Sequence, residues 1–256
     1  MGAKEIVEER LVFESEGLRL VGSLAYPVRG QPTRGVLLLA PHPHMGGRMD
    51  NNVIRHLARR FAEDGDATLR FDYRGVGESE IRLPPRTSLF DHFASMEAEQ
   101  RYEELLPDAE AALAALRAAV GGGGVLVVGY SLGAVLAGML ASRCPVDGVV
   151  GISPPVARVS LRPYRGVAAP VVFVAGDADF AFDEARFRDE LAALPPCEVL
   201  RLPGSDHFFR QEEERLYETL RRALGWEPGR ATGAGALRRG PRASEPDGKP
   251  TEGGAT

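Results

Sequence analysis

The sequence predicts one domain of the α/β class, built on a mainly parallel sheet with helices on both of its faces. Short apolar runs alternate with segments of helical periodicity along most of the chain. Runs such as 35–40 are continuously apolar, which is typical of strands buried on both faces. A chain of 256 residues is long enough to bury a sizeable core around one such sheet without disulfides or a structural metal.

The elements are predicted from the amino terminus onward. The apolar runs predict about eight strands, at 11–13, 18–26, 35–40, 67–73, 125–129, 149–152, 171–175 and 199–202. The first two of these strands form a hairpin around Glu16 and Gly17. Helical periodicity indicates helices at 52–64, 102–120, 132–142, 182–194 and 211–224. Pro107 favours the first turn of its helix, and the four glycines at 121–124 stop that helix.

The composition of the chain predicts where the folded domain ends and which classes of partner are not expected. Residues 227–256 are rich in Gly, Pro, Ala, Arg and Glu, so we predict a folded domain at 1–226 and a disordered C-terminal tail at 227–256. The formal net charge of −5 gives no sign of a nucleic-acid partner. The charged amino terminus does not resemble a signal peptide, and no apolar run is long enough to span a membrane. We expect a cytoplasmic protein with no membrane partner, whose Cys144 and Cys197 are buried thiols.

A glycine-flanked serine stands at the point where a strand meets a helix. The segment 129–133 reads G-Y-S-L-G, directly after an apolar strand and directly before a helix. A sharp turn there exposes the Ser131 hydroxyl above the sheet, whereas an incidental serine in an ordinary turn is the alternative. A serine nucleophile needs an adjacent base. His207, in the loop after the last predicted strand, is the only histidine that follows Ser131, although a surface histidine is again the alternative.

An acid that orients the histidine is expected after the preceding strand. Asp177 and Asp179 both follow strand 171–175, and the residues alone leave both open. Asp183 is a more distant candidate, because a carboxylate near the start of a helix is also favoured by the helix dipole.

An oxyanion hole needs two backbone N–H groups. One is expected from Leu132, the residue after the serine, and the other from the Pro- and Gly-rich loop 41–47, at His44 or Met45. His42 and His44 could suggest a metal site, but no third ligand is nearby in sequence. We therefore predict no metal, and a structural hydrogen bond for His42.

Four motifs, in this order, resemble those of a known family. Residues 41–51 (PHPHMGGRMDN) resemble its first-loop signature H-P-H-P-x-x-G-G-x-M-D-N, and 70–79 (RFDYRGVGES) its motif R-F-N-F-R-G-V-G-x-S. Residues 129–134 resemble its G-F-S-F-G-A turn, and 206–209 (DHFF) match its closing motif. The family comprises small bacterial α/β hydrolases related to dienelactone hydrolases and to CocE-type or serine-aminopeptidase-like esterases, and the resemblance covers roughly residues 10–225.

The resemblance implies the α/β-hydrolase fold, a Ser–Asp–His triad and no cofactor. The family pattern H-G-x-x-D, aligned on Gly176, implies Asp179 as the acid, although alanine stands where the histidine is usual. The implied triad is Ser131, Asp179 and His207, with an oxyanion hole at Leu132 and His44. The first loop is shorter than the family's and 81–106 is longer, so specificity is not carried over from the family.

Substrate contacts are expected from residues near the nucleophile and from a possible lid. Segment 153–169 is too short for a multi-helix cap, so no large cap is predicted, and a short helix around 89–96 either covers the site or packs on the domain edge. The expected contacts are Met45, Tyr130, Phe90, Phe93 and Met96. A small lid leaves the site fairly open, which favours short or medium acyl groups.

The predicted function is hydrolysis of a small-molecule carboxylic ester, thioester or lactone through an acyl-enzyme. One alternative is an acyltransferase or cyclase that uses the same triad with an acceptor other than water. Another is a non-catalytic binding protein on the same scaffold, because one fold hosts many functions. The sequence makes no prediction of the oligomeric state.

Overall fold

The computed structural model of this protein describes residues 5–32 and 34–225, and in these residues one open sheet of eight strands is flanked by six α-helices. The strands are β1 (Ile6–Ser15), β2 (Leu18–Pro27), β3 (Arg34–Leu39), β4 (Ala67–Asp72), β5 (Gly124–Tyr130), β6 (Gly148–Ile152), β7 (Val171–Gly176) and β8 (Cys197–Leu202). The helices are α1 (Asn52–Asp64), α2 (Leu89–Glu99), α3 (Leu106–Ala119), α4 (Leu132–Arg143), α5 (Glu184–Leu191) and α6 (Glu213–Ala223). The expected tail at 227–256 lies outside the described residues.

The predicted hairpin at the amino terminus is confirmed. β1 and β2 pair antiparallel with Ser15 opposite Leu18, and both turn residues have positive φ, 48° at Glu16 and 73° at Gly17. A two-residue turn with positive φ at both positions matches the right-handed twist of its strands. β2 also pairs antiparallel with β4, and the remaining neighbours in the sheet are parallel.

The strand order β1-β2-β4-β3-β5-β6-β7-β8 reverses direction between β3 and β5. Right-handed crossovers then place α1 on one face of the sheet and α3 and α4 on the other. The packing agrees, because α1 contacts α6 whereas α3 contacts α4. In such sheets the crevice for a ligand opens at the carboxyl ends of the strands, at the point of reversal.

The central strands are buried on both faces, as their continuous apolar runs predict. Every residue of β3, β4 and β7 is buried, whereas the edge strand β8 is mostly exposed or half-buried. Helix α1 buries the predicted stripe of Val53, Leu57 and Phe61 against the sheet.

Two segments between strands determine what covers the carboxyl edge of the sheet. The connection from β6 to β7 contains a 3-10 turn at Arg162–Gly166 and no α-helix, so the described chain has no large cap, as predicted. The connection from β4 to β5 contains α2, the predicted short helix. The helix expected over 102–120 is divided into a 3-10 turn at Tyr102–Leu105 and α3, with Pro107 in the first turn of α3 as predicted.

Candidate active site

Ser131 lies on a strained turn between β5 and α4. Its φ of 56° and ψ of −116° are outside the regions that L-residues prefer. The flanking glycines make the turn possible, because a Cβ at Gly129 would lie 2.0 Å from the Gly133 carbonyl oxygen and one at Gly133 would lie 2.1 Å from that of Leu39. The Ser131 amide donates to the Ile152 carbonyl at 2.9 Å, which ties the turn to β6. The half-buried serine is therefore held in a rigid and otherwise unfavourable conformation at the carboxyl edge of the sheet.

The structure brings His207 and Asp179 to this serine. The Nε2 atom of His207 is 3.2 Å from Ser131 Oγ, and its Nδ1 atom is 2.8 Å from Asp179 Oδ1. The Asp179 side chain is fully buried, and that of His207 is nearly so. With Nδ1–H directed at the carboxylate, the neutral ring presents the Nε2 lone pair to the serine hydroxyl.

The other two candidate acids have different partners. Asp177 Oδ1 accepts a hydrogen bond of 2.6 Å from the Gly204 amide, which joins the loops after β7 and β8. Asp183 caps α5 by accepting from the Arg186 amide at 2.9 Å. Of the three, Asp179 is the one whose carboxylate is hydrogen-bonded to His207.

Tyr130 holds the histidine loop. Its side chain is buried, and its hydroxyl donates to the His207 carbonyl oxygen at 2.6 Å. Burial, together with the nearby charges of Asp179 and Asp206, raises the pKa of the phenol, so the hydroxyl remains a donor. Contact with substrate was expected for Tyr130. The structure directs its hydroxyl to the loop of His207, and contact of Tyr130 with substrate stays a prediction.

The expected oxyanion donors differ in their surroundings. Leu132 is the first residue of α4, where a backbone N–H has no partner within the helix and the helix dipole favours negative charge. In the loop after β3, the His44 amide donates to His42 Nδ1 at 3.2 Å and the Met45 amide donates to the His42 carbonyl at 2.8 Å. Both candidate amides of this loop are thus engaged, so the second donor stays a prediction.

The buried His42 connects this loop to α2. Acceptance by Nδ1 places the proton of the neutral ring on Nε2, which lies 3.6 Å from Glu97 Oε2 and makes no hydrogen bond. Burial lowers the pKa of His42, the Glu97 carboxylate opposes that shift, and His44 adds to it. The structural hydrogen bond predicted for His42 is therefore present, and its neutral form is favoured.

The remaining substrate-contact residues fall into two groups. Met45 and Phe90 are 58% and 69% exposed, and the Phe90 ring stacks on His44 with centroids 4.7 Å apart. Phe93 and Met96 are instead buried in the core, which contradicts their expected contact with substrate. They lie on the inner face of α2, which packs against the loop after β3.

Two aromatic side chains beside the histidine were missed by sequence reasoning. Phe180 is 64% exposed, and its ring centroid lies 5.0 Å from that of His207. Phe208 is 36% exposed, and its centroid lies 5.7 Å from that of His207. A usable signal was present, since each follows a predicted triad residue directly in sequence.

The described residues offer neither a metal site nor a membrane-spanning helix. Among them, no group of three His, Cys, Asp or Glu side chains is arranged to hold a metal ion. In the same part of the chain, none of the helices has the length and apolar character that crossing a membrane requires.

The fold and the strand-turn-helix serine define an α/β-hydrolase, and comparison with known proteins supplies the family. The dienelactone hydrolase family model matches residues 22–230, and the chain belongs to that family. An uncharacterized protein of Rickettsia prowazekii is 27% identical to this chain over 195 residues. The alignment covers 72% of this chain and 75% of the Rickettsia protein.

Solved structures share the fold at low sequence identity. An α/β serine hydrolase homologue from Coxiella burnetii aligns with a TM-score of 0.71 at 24% identity, covering 84% of this chain and 97% of its own. A protein from Xanthomonas campestris, described as an α/β serine hydrolase without a lid, aligns with a TM-score of 0.72 at 22% identity, covering 87% and 96%. These likenesses confirm the predicted α/β-hydrolase fold.

Proposed function

We propose that this protein hydrolyses carboxylic esters through an acyl-enzyme on Ser131, with His207 as base and Asp179 as the acid that orients it. The observation that carries the proposal is the continuous contact from Ser131 Oγ to His207 Nε2 and from His207 Nδ1 to Asp179 Oδ1. This arrangement activates an otherwise poor hydroxyl nucleophile.

The first half of the reaction forms the acyl-enzyme. Ser131 Oγ bonds to the carbonyl carbon while its proton passes to His207 Nε2, and the carbonyl oxygen becomes an oxyanion. The buried Asp179 carboxylate stabilises the resulting imidazolium. As the oxyanion collapses, the bond from carbon to the alcohol oxygen breaks, and His207 returns the proton to that oxygen.

Water completes the cycle by the same steps in reverse order. His207 takes a proton from water, the hydroxide bonds to the acyl carbon, and the bond to Ser131 Oγ breaks as the serine regains its proton. The products are a carboxylic acid and an alcohol, so atoms balance without a cofactor.

The oxyanion is assigned to the N–H groups of Leu132 and His44. The first is supported by its place at the start of α4. The second requires the His44 amide to exchange its 3.2 Å hydrogen bond to His42 Nδ1 for one to the oxyanion. A charged acceptor makes a stronger hydrogen bond than a neutral ring nitrogen, which favours this exchange during the reaction.

A fluorophosphonate probe tests the proposal, because it phosphonylates an activated serine. We expect one adduct on the intact protein, mapped by peptide mass spectrometry to Ser131. The His207→Ala variant should lose labelling, whereas Ser142→Ala, which changes an exposed serine of α4, should retain it. An adduct at another serine, or labelling independent of His207, would contradict the assignment.

Esters, thioesters and lactones all have an acyl carbonyl carbon that the Ser131 hydroxyl could attack by the proposed mechanism. Comparing an ester, a thioester and a lactone of similar acyl size ranks the three classes, and we propose the ester as the preferred one. A kcat/KM for the thioester or the lactone that clearly exceeds the value for the ester would change that ranking while leaving the mechanism intact.

A further inference from the structure

Two exposed phenylalanines form one surface with the histidine of the site. The ring centroids of Phe180 and Phe208 are 5.9 Å apart, and both rings contact the imidazole of His207. We call Phe180 and Phe208 the aromatic shelf. Large apolar side chains are costly to leave in water when they are contiguous, so such a patch marks a binding surface.

The aromatic shelf is held by the loops that carry the acid and the base. The Ala181 amide donates to Asp179 Oδ1 at 2.9 Å, which constrains the backbone on both sides of Phe180. The Phe208 amide donates to Asp206 Oδ1 at 2.8 Å, and the Arg210 guanidinium lies 5.1 Å from the Phe208 ring centroid. The two rings are therefore positioned together with the catalytic groups and do not belong to an independent surface loop.

The chemistry of His207 determines which part of an ester lies on this side. When the acyl-enzyme forms, His207 Nε2 must lie within hydrogen-bond reach of the departing alcohol oxygen. The alcohol group attached to that oxygen is consequently next to the imidazole and to the rings packed on it. The loop after β3 lies on the opposite side of Ser131, because β3 and β6 are the two neighbours of β5, and β7 and β8 lie beyond β6.

We propose that the aromatic shelf binds the alcohol portion of the substrate, and that the protein prefers esters whose alcohol carries an aromatic ring. The inference rests on the proposed function and names its substrate class. Aromatic rings pair in offset or edge-to-face arrangements and gain more from such contact than saturated rings of equal size. An aryl group on the two phenyl rings gains both ring–ring contact and burial of apolar surface. An aliphatic group on the same rings gains only the burial of apolar surface.

The test compares 2-phenylethyl acetate with 2-cyclohexylethyl acetate. The two alcohols have the same spacing from ring to oxygen, so their esters have nearly equal intrinsic reactivity. We expect kcat/KM for the phenyl ester to exceed that for the cyclohexyl ester by about fivefold. Phe180→Leu and Phe208→Leu should each lower this ratio toward unity, whereas Val12→Ala, at an exposed apolar residue of β1, should leave the ratio unchanged.

A second pair of esters, with the rings on the acyl group instead of the alcohol, distinguishes binding of the alcohol portion from binding of the acyl portion. Methyl 3-phenylpropanoate and methyl 3-cyclohexylpropanoate place the same rings on the acyl group, and Phe180→Leu should not alter their ratio. A ratio near unity for the acetates in the unmodified protein would overturn the inference, as would a Phe180-dependent ratio in the methyl esters. Turnover of the acetates that depends on Ser131 would still uphold the proposed function in either case.

A second copy of the chain is the other occupant that the test addresses. Sedimentation velocity of the unmodified protein and of the Phe180→Leu variant measures whether the aromatic shelf joins two copies. A dimer that is lost in the variant while the acetate ratio is unchanged would overturn the inference. An unchanged oligomeric state together with a lowered ratio supports it.

Discussion

The hydroxyl of Tyr130 donates a 2.6 Å hydrogen bond to the backbone carbonyl of His207. Tyr130 directly precedes Ser131 in sequence, so the last residue of β5 fixes the loop that carries His207. The distance between Ser131 and His207 is thereby coupled to the packing of a buried side chain, whose ring also lies 5.7 Å from that of His207.

Removing the Tyr130 hydroxyl should slow catalysis and weaken the fold. Tyr130→Phe leaves the His207 carbonyl without this donor, so we expect the free energy of unfolding to fall by about 1 kcal/mol. The His207 loop should also become less well positioned, with kcat lower by roughly tenfold and KM nearly unchanged. Urea unfolding and steady-state kinetics measure the two effects.

Tyr217→Phe is the matched control for this substitution. The Tyr217 hydroxyl donates to Asp64 and joins α6 to α1, away from the triad. This variant should lose stability without a change in kcat. If both variants lowered kcat equally, the effect of Tyr130 would be one of stability alone.

The two aspartates after β7 should differ sharply in their effect on the rate. Asp179→Asn keeps the shape of the side chain but removes the charge that stabilises the imidazolium and selects its tautomer. We expect a loss of kcat on the order of 10³ or more. Asp177→Asn retains an oxygen that can accept from the Gly204 amide, so its effect should be less than about threefold. A greater loss for Asp177→Asn would transfer the role of the acid to that residue.

Acyl chain length should show a preference for short or medium groups. The described chain has no large cap, and α2 buries its Phe93 and Met96 in the core, so this helix does not present them to an acyl chain. Acyl groups beyond medium length would therefore extend into water with little added burial. We expect kcat/KM for aryl esters to be highest at acetate, butyrate or octanoate, and a maximum at palmitate would contradict this account of the site.

The stability of the protein should decrease as the pH falls below about 6.5, in part because of His42. Burial lowers the pKa of His42 from its ordinary value of 6.5, so the unfolded chain binds a proton that the folded chain resists. Stability from this group is therefore present above pH 6.5 and is lost as the pH falls toward the folded-state pKa. Burial is the largest cause of this lowered pKa, His44 adds to it, and the Glu97 carboxylate opposes it.

His42→Asn tests this origin, because the asparagine oxygen can still accept from the His44 amide. We expect the loss of unfolding free energy between about pH 7.5 and about pH 5.5 to be smaller in this variant than in the unmodified protein. Ser142→Ala, at an exposed serine of α4 that does not titrate, provides the control and should keep the full difference. An equal difference in His42→Asn would assign the pH dependence to other groups.

The sequence predicted the elements, and pointed to Ser131, because both depend on local signals. Strands buried on both faces are continuous apolar runs, and the β5–α4 turn needs glycine at both Gly129 and Gly133 for steric reasons. His207 could be selected because no other histidine follows Ser131. Asp179 required the family pattern, since Asp177 has the same local surroundings in sequence.

Other features depend on packing between distant segments, which periodicity does not reveal. The apolar stripe of α2 indicates that Phe93 and Met96 share a face, but not whether that face meets the core or the site. The bond from Tyr130 to His207 joins residues 77 positions apart in the chain. Phe180 and Phe208 were overlooked because aromatic residues within loops carry no periodic signal, and they gain meaning only beside the His207 ring.

The central claim is that Ser131 is the nucleophile, and the rate of ester hydrolysis by Ser131→Ala tests it most directly. The substitution removes one oxygen and barely changes packing, so the melting temperature should stay close to that of the unmodified protein. We predict a fall in kcat on the order of 10⁴ or more, with little further loss when His207→Ala is added, because the two residues act as a unit. A folded Ser131→Ala variant that retains more than about a tenth of the original kcat would contradict the claim.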